Sequence, residues 1–343
     1  MFPSYSYSFY RDRSELQEQI RFLVDLFCAA AEREQQTGEK IVELLSSVCG
    51  HKIFPLNKTD MNDDYYQSDF LLDLYSQVKD RETKTGLSLL PSLQSVFQSA
   101  TVWIINLSER KSSILLEVLK LQSEKKQVEL SAFTHEESEV KSFLQCLPYI
   151  SQLSFDPEWL DGEEPIRFLV DLFCAAAERE QQTGEKIVEL LSSVCGHKTF
   201  PLNKTDMNDY YQSDFLLDLF SQVKDCETKT GLSLLPSLQS VFQSATVWII
   251  NLSETESSIL LEVLKLQSEK KQVKLRGFIY EESEVKSFLQ CLPYISQLSF
   301  DPEWLDGEEP IRFLVDLFCA AAEREQQTGE KIVELLSSVC GHK

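Results

Sequence analysis

IRFLVDLFCAAAEREQQTGEKIVELLSSVCGHK spans Ile20–Lys52 and returns, without a single difference, at Ile166–Lys198 and Ile311–Lys343. The offset is 146 residues and then 145, because Asp64 has no counterpart in the second copy. Apart from that residue, copies 20–165 and 166–310 differ at ten positions. Self-similarity at a fixed period marks a tandem array, and so close a match means a recent duplication. The chain therefore divides into residues 1–19, repeat unit 1 (20–165), repeat unit 2 (166–310) and a truncated repeat unit 3 (311–343) that holds a helical pair only. SYSYSF at residues 4–9 stands where ISQLSF stands in a full unit, since Phe9 lies 146 residues before Phe155. It reads as a variant strand of an incomplete preceding unit or as a tail.

Working outward from the repeated stretch, Asp161-Gly-Glu-Glu-Pro165 places acidic residues and a proline at the start of an apolar-periodic run. That is a helix N-terminus. Thr183-Gly184 breaks the helix, EKIVELLSSVC forms a second one, and Gly196 is expected to close it in the left-handed conformation. TFPLNK (199–204) follows as a short strand or extended turn. Ser213 is expected to cap DFLLDLFSQVKD, and a further helix is predicted over Leu234–Ser244. Three β-prone segments come next, VWIINLS (247–253), VKLRGF (273–278) and ISQLSF (295–300). The amphipathic helices SSILLEVLKLQ and ESEVKSFLQCL lie between them, the second stopped by Pro293. From Trp248 to Val273 is 25 residues and from Val273 to Ile295 is 22. A strand plus a helix cannot bury its own apolar face, so units at this spacing stack their strands in parallel. The fold class expected is α/β and helix-rich: tandem strand–helix repeats forming a leucine-rich-repeat-like solenoid, with short parallel strands stacked beside amphipathic helices.

INLSERKSSILLEVLKLQSEKKQVELSAF (105–133) and EESEVKSFLQCLPYISQLSF (136–155) resemble the leucine-rich-repeat-like modules of the fish-expanded NOD-like receptor (NLR) and related proteins. The resemblance covers most of each copy. It implies a curved solenoid used for protein recognition, with a link to cytosolic innate immune signalling. The chain departs from that family in two respects: the asparagine or cysteine ladder position is irregular, and no GxxxxGK[ST] nucleotide-binding loop occurs.

Composition narrows the function classes. With 33 Lys and Arg against 55 Asp and Glu, the formal charge is −22, spread without blocks, which argues against a nucleic-acid footprint. No apolar run is long enough to span a bilayer. MFPSYSYSFYRDR lacks the features of a signal peptide, so the expected location is cytoplasmic. Nine cysteines with no CxxC pair, mostly in apolar helical stretches, read as buried thiols rather than a disulfide framework. Cys226 is the exception, replacing Arg81 of the first copy at a charged position.

Candidate chemistry is sparse. Cys49-Gly50-His51 could suggest a thiolate–imidazole pair, but the glycine separates the two side chains onto different elements, and a cation at a helix C-terminus suffices to explain the histidine. The carboxylates of Asp156–Glu164 fail the pattern of a calcium loop and read as an acidic first turn. No cofactor or metal is expected, and no catalytic residue: the chain reads as a non-enzyme. Interaction residues are expected in three places. Trp159 and Trp304 sit between Pro and Asp in an acidic loop. Glu129, Lys274 and Arg276 sit in the strands, on the sheet face expected to take a ligand. Ile311, Leu314 and Phe318 form an apolar stripe on the truncated third unit, which lacks the elements that follow in a complete one. Protein partners are expected; the competing expectations are homo-oligomerisation through that C-terminal unit, as a self-associating structural repeat protein, and a duplicated gene fragment without selected function.

Overall fold

A computed structural model describes residues 13–52, 54–55, 63–157, 162–202, 209–252, 257–277, 282–302 and 308–341. The chain forms two compact units, Met1–Ser151 and Gln152–Lys343. In the first, α1 (Arg13–Thr37) and α2 (Ile41–Cys49) lead to α3 (Asp63–Thr85), a 3-10 turn and α4 (Gln94–Phe97). Then come β1 (Val102–Asn106), α5 (Ser112–Lys120), β2 (Lys126–Ala132), α6 (Glu137–Leu144) and β3 (Ile150–Phe155), which crosses the boundary between units. The second unit continues with α7 (Glu164–Thr183), α8 (Ile187–Cys195), α9 (Asp209–Thr230), α10 (Gln239–Gln243), β4 (Val247–Asn251) and α11 (Ser257–Lys265). It ends with β5 (Lys271–Gly277), α12 (Glu282–Phe288), a 3-10 segment (Leu289–Tyr294), β6 (Ile295–Phe300), α13 (Glu309–Thr328) and α14 (Ile332–Cys340).

The strands make two three-stranded sheets, ordered β1-β2-β3 and β4-β5-β6. β1 pairs β2 in parallel, β4 pairs β5 in parallel, and β5 pairs β6 in parallel. Parallel neighbours need a crossover, and here each crossover carries one short amphipathic helix. Trp248 faces Val273 across the β4–β5 ladder, and Val273 faces Leu298 across β5–β6. These residues, with Ile250 and Leu275, are buried and form the inner face of the sheet. The outer face alternates with it and carries Gln272, Lys274 and Arg276, as the period of two requires.

The first strand of each sheet is closed by a serine. Ser213 lies inside α9, and its hydroxyl accepts the Ile249 N–H at 2.9 Å; Ser68 of α3 does the same for Ile104. Ser213 is therefore not the helix cap expected from sequence. The helix begins four residues earlier, and the serine satisfies a backbone donor that an edge strand would leave free.

Two further expectations are corrected by geometry. Gly184 ends α7 in the left-handed region, with φ 73°, but Gly196 after α8 has φ −82°. The need for glycine at 196 is steric. A Cβ there would lie 3.1 Å from the Ser192 carbonyl oxygen and 3.3 Å from Ser240 Oγ. The helix expected over Leu234–Ser244 shortens to α10, because Pro236 supplies no N–H and residues 235–238 form a turn instead.

Candidate interaction surface

The 33-residue repeat occupies three environments, and the differences among them define the candidate surface. In α1, Ile20 and Val24 are buried against α3 in the first unit. The equivalent Ile166 and Val170 of α7, which packs on α9, are also buried. In α13 the same positions are Ile311 and Val315, 67% and 54% exposed. No helix of the α9 kind follows α13 among the described residues.

The opposite face reverses the pattern. α13 packs on α12, and α14 packs on β6 and the 3-10 segment, burying Phe313, Leu317 and Val339. The Phe313 ring meets Phe288 of α12 edge-on at 6.3 Å. The equivalents on α1–α2 are Phe22, Leu26 and Val48, exposed by 69%, 40% and 67%. Between α1 and α2 lies an apolar groove of about 400 Å³, lined by Leu26, Ala29, Ala30, Ile41, Leu44 and Val48. Identical side chains are thus core in one place and surface in another.

The expected interaction residues do not gather at one site. Ile311 is exposed, and Leu314 and Phe318 are half-buried. The open stripe on α13 is Ile311 with Val315. Lys274 and Arg276 share the outer face of β5, where Lys274 lies 3.6 Å from Asp301. Glu129 holds the equivalent place on β2 of the first unit, so this strand position reverses charge between copies. Trp159 and Trp304 lie outside the described residues, as does about half of the acidic loop around each. Sequence reasoning missed the α1–α2 groove. Its residues are those of a core, and only the comparison of three environments separates its exposed copy from its buried ones.

Lys111 is a second correction. Its change to Glu256 in the second copy reads, from sequence, as a surface substitution. In the structure Lys111 is buried, with Nζ 3.1 Å from both Asp73 and Glu109 and bonded to Asp69. Burial alone would depress the ammonium, but the three carboxylates outweigh it and hold the group above its ordinary value. Asp73 is pushed up by its own burial, against the pull of Lys111.

His197 has a structural task. Its Nε2 contacts the Leu153 carbonyl oxygen of β3 at 2.9 Å and its Nδ1 contacts Thr199 Oγ1 at 3.1 Å. Burial lowers its pKa, so the neutral ring bridges β3 to the turn after α8. The Phe155 N–H donates to the Pro201 carbonyl in the same turn, and the rings of Phe155, Phe200 and Phe215 pack together there. The helix-dipole reading of this histidine gives way to strand-edge closure. Among the described residues no group of three or more His, Cys, Asp or Glu could hold a metal ion, and no helix is long and apolar enough to cross a membrane.

Compared with known proteins, the chain matches no family model, no curated protein and no solved structure.

Proposed function

We propose that this chain is a non-catalytic protein-interaction scaffold, with its strand–helix repeats arranged as a leucine-rich-repeat-like solenoid in the cytoplasm. The observation that carries this reading is the α1–α2 groove: the equivalents of its Leu26, Ala29, Ala30, Ile41 and Val48 on α13–α14, which meets α12, the 3-10 segment and β6, are Leu317, Ala320, Ala321, Ile332 and Val339, all buried, and the equivalent of Leu44, Leu335, is half-buried. The groove is therefore complementary to a known shape, an apolar helix running into a strand. A partner presenting such a surface would seat an aromatic against Phe22, as Phe288 does against Phe313. The resemblance of the strand–helix units to NLR modules is the ground for assigning that recognition to innate immune signalling.

A fluorescent peptide of residues 282–302, titrated with the full chain under reducing conditions, tests the groove. Saturable binding is expected, weakened about tenfold or more (about 1.4 kcal/mol) by Leu44→Glu. Binding that ignores this variant, or none at all, overturns the reading.

One observation favours a second reading, self-association: the chain itself carries a surface that fits α1–α2. A second copy could place its α1–α2 where α13–α14 sit, with identical side chains in identical contacts. The face gained by one pair equals the face lost by the other, while association costs translational freedom. This route gives weak assembly. Light scattering over a hundredfold concentration range should then show mass growth that Phe22→Glu removes, and a monomer throughout ends this reading.

A further inference from the structure

Cys174 on α7 and Cys226 on α9 bring their sulfurs to 2.8 Å, close to the bonding distance of about 2.05 Å. Both residues are partly exposed, and both are free thiols. The pair exists in the second unit only. In the first, the same two positions hold Cys28 and Arg81, and the Arg81 guanidinium pairs with Asp25. A single difference between copies has thus put a second sulfur at a helix–helix seam where the first copy has an ion pair. The seam is the one that buries Ile166 and Val170.

We propose that Cys174 and Cys226 form an oxidisable dithiol that closes to a disulfide, clamping α7 to α9 in the second unit alone. The inference stands independently of the interaction reading. The oxidant is a low-molecular-weight disulfide such as glutathione disulfide. The Cys226 thiolate attacks one of its sulfurs, forming a mixed disulfide and expelling one glutathione thiolate. The Cys174 thiolate then attacks the Cys226 sulfur, closing the protein disulfide and expelling the second glutathione. The two thiol protons end on the two glutathione thiols; the protein pair is oxidised by two electrons and glutathione disulfide is reduced by two. Burial, with Cys226 beside it, raises the Cys174 thiol, and the short distance between the two sulfurs is what lets Cys174 make the resolving attack. Closure links residues 52 apart in sequence, so it removes freedom from the unfolded chain as well as fixing the seam.

The test uses the full chain equilibrated in glutathione buffers from reducing to oxidising, then quenched with acid and alkylated. Intact mass should show two fewer alkyl groups on oxidation. Tryptic cleavage should yield DCETK (225–229) linked to FLVDLFCAAAER. That second peptide is shared by Cys28, Cys174 and Cys319, so variants must assign it. The linked species should persist in the Cys28→Ser, Cys319→Ser double variant and vanish in Cys174→Ser. The thermal midpoint of the second unit should rise on oxidation in the parent chain and stay fixed in Cys226→Arg, which restores the residue of the first copy. Full alkylation at every buffer overturns the proposal. So does a linked peptide that survives Cys174→Ser, or a lasting glutathione adduct on Cys226 without closure.

Discussion

His197 is held in its neutral form by burial, and that has a definite pH signature. Its folded pKa lies below the unfolded value of about 6.5. The stability it contributes is therefore fully present above about pH 6.5 and lost as the pH falls through the folded value. An NMR titration of the ring should give a midpoint below 6.5; a midpoint at or above it would contradict the strand-edge role. At this scale the sequence was legible only in part. Gly184 announces its left-handed φ through the Thr-Gly break, whereas Gly196 is needed for the close approach of Ser192 and Ser240, and Ser240 is distant in sequence. Lys111 looked like a surface lysine because its carboxylate partners Asp69 and Asp73 come from α3, a long way up the chain. Cys226 could be picked out as an odd substitution, but nothing local placed Cys174 beside it.

Elements were easier to read than residues. Strand spacing of 25 and 22 residues placed β4, β5 and β6 correctly and in parallel, because parallel pairing forces a crossover of that length. What the spacing could not show is how the edge of β4 is finished. Ser213 occupies a helical position, where sequence offers only the bland choice between cap and surface. Replacing it by alanine leaves the buried Ile249 N–H without its acceptor. Urea denaturation of Ser213→Ala should show a loss of about 1–3 kcal/mol. The exposed Ser193, whose hydroxyl bonds only the Leu190 carbonyl of its own helix, should tolerate alanine within about 0.5 kcal/mol. Equal effects at the two serines would mean that the side-chain bond to the strand edge does not matter.

At the scale of the whole molecule, one sequence serves three times with two different sets of neighbours. Among the described residues, α1–α2 lacks cover on one face, α13 lacks it on the other, and α7–α8 bury both sets of positions. The array was legible from the perfect repeat, but which copy is exposed, and on which face, depends on what precedes and follows each pair in space. The account rests on the claim that the α1–α2 face is a free surface built from core residues. The most direct test makes one substitution at the three equivalent positions of α2, α8 and α14, where Val48 is 67% exposed and Val194 and Val339 are 2% and 3% exposed. Urea midpoints are then compared for Val48→Glu, Val194→Glu and Val339→Glu. The expected result is a change within about 0.5 kcal/mol for Val48→Glu, and losses of roughly 3 kcal/mol or more for the other two, where a carboxylate is forced into a buried apolar site. A loss at Val48 as large as that at Val194 would show that the α1–α2 face is already covered, and the groove would cease to be a docking surface.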